Sequence, residues 1–273
     1  MAMLELATES RADRRYSIAI CKGAGLVSET RHLIEHWRPG EDVETFVRRV
    51  QEEDLLGRST AYRSRDIARR VFARRFLRPP ARPARLLKSV IDHHLFQKTF
   101  TELLFLFACQ ADALLYDFTL WGYWEAVRRR RTRLSVADVL AFLADAVAQG
   151  HIPRPWSDRV QVKIARGLLA MLRDVGLLRE QRRGQQEREI IPFRMSDAGV
   201  ACLARDLHEA GLSDSALCGH SDWGLFGLGR QEVIERLDGL GEDRGLIVQR
   251  AGSVVSITWR VQSMEELLDV LAR

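Results

Sequence analysis

The most apolar stretch, Leu103–Trp121 (LLFLFACQADALLYDFTLW), constrains this 273-residue chain more than any other segment. Its length is that of a membrane span, but Gln110, Asp112 and Asp117 interrupt it. A spanning helix needs about 20 predominantly apolar residues, and a central acid costs about 2.5–3.5 kcal/mol on insertion scales. Leu103, Leu104, Phe107, Leu114, Leu115 and Phe118 recur at helical spacing, so the stretch is read as buried helical core, with no membrane insertion. Hydrophobic residues at 46% and charged residues at 29% are enough to build such a core without staples. Cys21, Cys109, Cys202 and Cys218 form no C-x-x-C pair, and the first residues do not read as a signal peptide. The expectation is a reduced, cytoplasmic protein with neither a disulfide framework nor a zinc finger.

Around this core the pattern is helical, and the expected fold class is mainly α: a helical bundle with helix-turn-helix and winged-helix-like modules carrying two small β-hairpins. Residues 1–85 hold three short helices, near 26–37, 42–53 and 60–77, the last capped by Ser59 or Thr60. Pro79–Arg85 (PPARPAR) reads as a stiff linker. Residues 86–150 form the central helical core. Residues 151–273 are winged-helix-like: a helix from Ser157 to Asp174 and a hairpin near 177–195, then a helix at 198–210. A Gly-rich connection over 211–229 leads to a second helix–hairpin and a closing helix, 264–271.

The net charge of +5 is unevenly placed along these regions. Residues 1–90 carry +7, 151–200 carry +4 and 201–273 carry −5, so 151–210 is basic and 211–273 acidic. Concentrated basic blocks point to a polyanion. On a helix over 60–76, Arg63, Arg70 and Arg74 fall within about 40° of one another, opposite Ile67, Val71 and Phe72. Arg65 and Arg69 flank them, while Arg75 falls on the apolar side and is expected to snorkel or pair internally. On the 157–174 helix, Arg159, Lys163, Arg166 and Arg173 oppose Val160, Ile164, Leu168, Met171 and Leu172. Arg182 and Arg183 stand at the following hairpin tip. A cationic face over an apolar one suits docking on a sugar–phosphate backbone. The nucleic-acid-binding set is therefore Arg63, Arg65, Arg69, Arg70, Arg74, Arg159, Lys163, Arg166, Arg182 and Arg183. The second helix–hairpin, with five acids between Arg230 and Arg244, is read as structural or protein-contacting.

Motifs for catalysis are absent: no G-x-x-x-x-G-K-[ST], no G-x-G-x-x-G after a strand, no G-x-S-x-G. Asp92-His93-His94 matches the triplet of the DHH phosphoesterases but lies in a helical run with no upstream D-x-D. His32 and His36 share a helix face without an evident third ligand. No enzyme activity, cofactor or metal is expected.

Five segments in order resemble the BrxA family of BREX bacteriophage-exclusion systems. They are Lys22–Trp37 (KGAGLVSETRHLIEHW), the Arg-rich third helix ending in RRF, Cys109–Leu115 before Asp117-Phe118, Trp156–Leu178, and Ser221–Phe226. The resemblance implies antiviral defence, winged-helix-like domains and duplex DNA binding without catalysis, with other BREX subunits as partners. Two other readings remain open: an RNA binder gripping A-form helices, and a protein scaffold whose arginines meet acidic partners.

Overall fold

A computed structural model describes residues 13–57, 60–180, 187–252 and 254–273. The fold is mainly α with two small two-stranded antiparallel sheets. The chain divides into two compact units.

The larger unit takes in residues up to Arg85 together with Phe107–Phe193. It opens with α1 (Val27–His36) and α2 (Val43–Glu52). α2 starts where Asp42 Oδ1 accepts from the Thr45 amide at 3.0 Å. A single helical rod follows: α3 (Ala61–Asp66), a π-helical stretch Ile67–Ala73, and α4 (Arg74–Phe76). Thr60 supplies its cap, accepting from the Arg63 amide at 3.2 Å, and Ser59 lies outside the described residues. Phe46 stacks on Phe72, and Phe76 packs tilted against Phe72, with ring centroids 5.1 and 5.5 Å apart.

α5 (Arg82–Asp92) and α6 (Gln97–Gln110) come next, and the division between the units falls within each of them. The linker expected at Pro79–Arg85 is thus half helix. Pro83 sits in the first turn of α5, where its missing N–H costs nothing. The core expected as two helices near 86–108 and 110–130 is divided further. After α6, Asp112 caps α7 (Ala113–Asp117), which runs through a π-helical Phe118–Tyr123 into α8 (Trp124–Arg128). The interruptions that argue against a membrane span are structural: Asp112 is a buried cap, and buried Asp117 pairs with Arg14 and accepts from Tyr16 Oη at 2.8 Å. Among the described residues no single helix is long and apolar enough to cross a membrane.

β1 (Arg133–Ser135) leads directly into α9 (Val136–Ala148), started by a Ser135/Asp138 capping box. α10 (Asp158–Asp174) follows, then β2 (Glu187–Glu189). Among the described residues the expected hairpin near 177–195 consists of an antiparallel bridge of Leu178 and Ile190, flanked by the Arg179 amide donating to the Glu189 carbonyl at 2.9 Å and the Ile191 amide to the Leu177 carbonyl at 3.1 Å, and β2 takes β1 as its strand partner, Leu134 facing Arg188. A three-residue strand is too short to show an alternating pattern, which is why β1 was not foreseen.

The smaller unit takes in Leu86–Leu106 and Arg194–Arg273. α11 (Asp197–Glu209) is capped by Ser196, whose amide donates to buried Glu102 at 2.8 Å. The connection expected over 211–229 is instead ordered into α12 (Asp214–Cys218) and a 3-10 turn, Ser221–Phe226, which buries Trp223. α13 (Arg230–Asp238) precedes the hairpin of β3 (Leu246–Ala251) and β4 (Val254–Trp259), in register from Leu246–Trp259 to Ala251–Val254. α14 (Met264–Leu271) closes the chain. Buried Arg205 fastens α11 to the segment before α14, donating to the carbonyls of Val261 and Gln262 with its guanidinium over the Trp259 ring.

Candidate nucleic-acid interface

Charge separates between the units more sharply than along the sequence. The larger unit holds 32 Lys/Arg against 22 Asp/Glu, net +10, and the smaller holds 10 against 15, net −5.

Within the larger unit, α10 presents the expected cations to solvent. Ile164, Ala165, Leu168, Leu169, Met171 and Leu172 are buried, and Val160 is half-buried. Arg159, Lys163 and Arg166 stand on the opposite side, exposed, at i, i+4 and i+7. None has a side-chain hydrogen bond or ion pair among the described residues. At 1.5 Å per residue the row spans about 10 Å, roughly three nucleotide steps of one strand at 3.4 Å each. Ser157 occupies the N-cap position, but its side chain makes no capping bond; its carbonyl receives the Val160 and Gln161 amides instead.

The helix is held from behind. A Cβ on Gly167 would meet Ile20 Cγ1 at 3.2 Å and the Ile20 carbonyl oxygen at 3.3 Å, so a bare glycine lets α10 lie close on the 3-10 turn Ala19–Lys22. At its other end, Asp174 accepts from the Gly25 amide at 3.1 Å. Cys21 sits at this seam; burial pushes its thiol up, and the Lys163 ammonium pulls the other way.

Arg173, the fourth cation of the α10 stripe, is half-buried and pairs with Asp174 and Glu180, so it serves the fold. Arg182 and Arg183 lie outside the described residues. Several exposed arginines that sequence reasoning did not single out, Arg130 and Arg154 among them, also lack side-chain hydrogen bonds and ion pairs among the described residues. Arg130 belongs to the 128–131 run, in which Arg128 and Arg129 pair with Glu125 and Arg131 with Asp138.

The rod over 61–76 departs from the expected stripe. The π-helical stretch Ile67–Ala73 turns less per residue than an α-helix, so a wheel drawn at 100° misplaces the residues beyond Asp66. The structure gives most of these arginines partners inside the protein. Arg63 donates to the Lys22 carbonyl at 2.7 Å and Arg74 to Ser17 Oγ at 3.3 Å. Arg69 pairs with Glu44 at 2.6 Å and Arg70 with Asp66 at 3.1 Å. Arg65 alone of the five is exposed with no such partner among the described residues. Arg75 is buried, as expected, donating to the carbonyls of Gly23 and Ala24 at 2.8 Å each; burial lowers its pKa to about 10.

The other residues weighed for chemistry are dispersed. Asp92-His93-His94 ends α5, with His93 Nδ1 2.7 Å from the Ser89 carbonyl and its Nε2 3.4 Å from Asp269. On α1, Glu35 joins His32 and His36, one potential ligand atom of each lying within 4.8 Å of the others. Sequence reasoning named the two histidines and missed the carboxylate, although an i, i+3, i+4 spacing places all three on one helix face.

Three comparisons bear on this arrangement. A crystal structure of an uncharacterized protein from Magnetospirillum magneticum superposes with a TM-score of 0.56 at 18% identity, covering 71% of this chain and 95% of that one, a likeness of fold. No curated protein matches. The BrxA family model matches residues 14–206, which takes in the three N-terminal helices, the apolar core, α10 and β2. The chain belongs to the BrxA family.

Proposed function

We propose that this BREX-associated defence protein is a non-enzymatic accessory subunit that binds double-stranded DNA through α10. The observation that carries this reading is the row Arg159, Lys163 and Arg166, exposed on one face and unpaired among the described residues. Cations already paired inside a protein gain little from phosphates, whereas free ones release condensed counterions from DNA when they bind.

The order of elements around α10 supports the same reading. A helix (α7–α8), a short strand (β1), a helix (α9), then α10 and a strand pair formed by Leu178, Ile190 and β2 follow the winged-helix order. There the third helix enters the major groove and the strands return beside the backbone. Arg65 is proposed as a phosphate contact outside this module. Arg63 and Arg74 are assigned to the fold by their hydrogen bonds to the Lys22 carbonyl and Ser17, whereas Arg69 and Arg70 stay exposed in surface ion pairs with Glu44 and Asp66 that phosphates can displace.

Salt-titrated binding to duplex DNA, duplex RNA and single strands tests this. The reading expects the tightest binding to duplex DNA with a steep salt dependence. Preference for duplex RNA makes the chain an A-form reader. Loss of all nucleic-acid binding at low salt makes it a scaffold that contacts other BREX subunits.

A further inference from the structure

We propose that His32, Glu35 and His36 form a binding site for a divalent transition-metal ion of the zinc class on the exposed face of α1. The imidazole centroids are 4.3 Å apart, and a ligand atom from each of the three side chains lies within 4.8 Å of the other two. Two imidazoles and one carboxylate suit Zn²⁺, Co²⁺, Ni²⁺ or Cu²⁺ and not the all-oxygen preference of Mg²⁺ or Ca²⁺. All three side chains reach solvent, so modest rotamer changes can close the remaining distance to metal bonds of about 2.0–2.2 Å.

Two further observations prepare the site. His36 Nδ1 lies 2.9 Å from the His32 carbonyl oxygen. A carbonyl only accepts, so this contact puts the proton on Nδ1 and leaves Nε2 with the lone pair a ligating imidazole needs. The backbone under that ligand is also fixed. Arg49 Nη2 donates to the His36 carbonyl at 2.7 Å while its Nε donates to Glu41 at 2.8 Å, and Leu33 and Ile34 anchor the opposite helix face in the core. One competitor is Arg31, whose Nε is 3.0 Å from Glu35. An exposed i, i+4 ion pair is worth only about 0.3–0.5 kcal/mol, so a dication on two imidazoles displaces it. The site shares no residue with the α10 row and stands whether or not the chain binds DNA.

The full chain titrated with Co²⁺ reads the site directly through its visible d–d absorption, with Zn²⁺ as the displacing ion and calorimetry for stoichiometry. One ion per chain is expected, its absorption abolished by His32→Ala or His36→Ala. Glu35→Gln should weaken it by about tenfold or more, since even outer-shell changes cost 10–100-fold. His94→Ala, at an exposed histidine elsewhere, should leave it unchanged. In the unmutated protein Zn²⁺ should shield His32 and His36 from carbethoxylation, which keeps the test independent of how the variants fold. An absent d–d band at saturating Co²⁺, a band that persists in His36→Ala, or no shielding by Zn²⁺ would each overturn the site.

Discussion

Gly25 and Asp174 are locked together: the Gly25 amide donates to Asp174 Oδ2 at 3.1 Å, and a Cβ on residue 25 would collide with the Asp174 side chain. The contact ties the last turn of α10 to the segment leading into α1. Gly25→Ala should therefore destabilise the protein by about 1–3 kcal/mol, the usual cost of overpacking. It should also weaken DNA binding by tilting α10. Urea unfolding followed by circular dichroism checks the first part, and unchanged stability would show that the seam yields.

Arg63 and Arg65 lie two residues apart and should behave oppositely. Arg63→Ala removes the hydrogen bond to the Lys22 carbonyl and should cost about 0.5–1.5 kcal/mol of stability, or more for a charged donor. Arg65→Ala should leave stability within about 0.5 kcal/mol, as surface changes do. On DNA, Arg65→Ala should lower the slope of log K against log salt by about 0.9. The reverse pattern would return Arg63 to the interface.

Acid stability should depend on Glu41. Its hydrogen bond from Arg49 holds the carboxyl below the ordinary range. The folded value thus lies under the unfolded one, near 4.3 for a free glutamate. Stability from this pair is present above that value and is lost as pH falls through the folded one. Glu102 works the other way: burial raises it, so its contribution is present on the acid side and is lost as pH rises through the folded value. Glu41→Gln should flatten the acid limb of a stability–pH curve, and an unaltered limb would remove Glu41 from the account.

The buried pair Arg14–Asp117 should be costly to break and cheap to replace. Asp117→Asn strands the Arg14 charge and should cost about 3–5 kcal/mol. A double change to apolar residues of similar size should recover most of that loss. A single variant as stable as the parent would mean that solvent reaches the pair.

Much of the arrangement was legible in the sequence because it is local. The α10 boundary, its buried Ile164–Leu168–Leu172 stripe and the exposed Arg159, Lys163 and Arg166 opposite follow from helical periodicity. The β3–β4 hairpin and the α14 closing helix also stand where the sequence reading places them. What escaped is long-range or irregular. Arg63 and Arg74 find Lys22 and Ser17 across dozens of residues. The π-helical Ile67–Ala73 has no periodicity signature in so short a run. β1 owes its existence to β2, on the far side of α9 and α10. The HLIEH spacing of His32, Glu35 and His36 is local and legible in the sequence.

The most direct test of the account replaces Arg159, Lys163 and Arg166 together with alanine and measures duplex DNA binding across a salt series. The account predicts an intact fold, because all three side chains are exposed and unpaired among the described residues. It predicts weaker binding and a salt slope reduced by about 2.7, at roughly 0.9 for each lost phosphate contact. Wild-type affinity and an unchanged slope would contradict it and leave the α10 row a solvated surface.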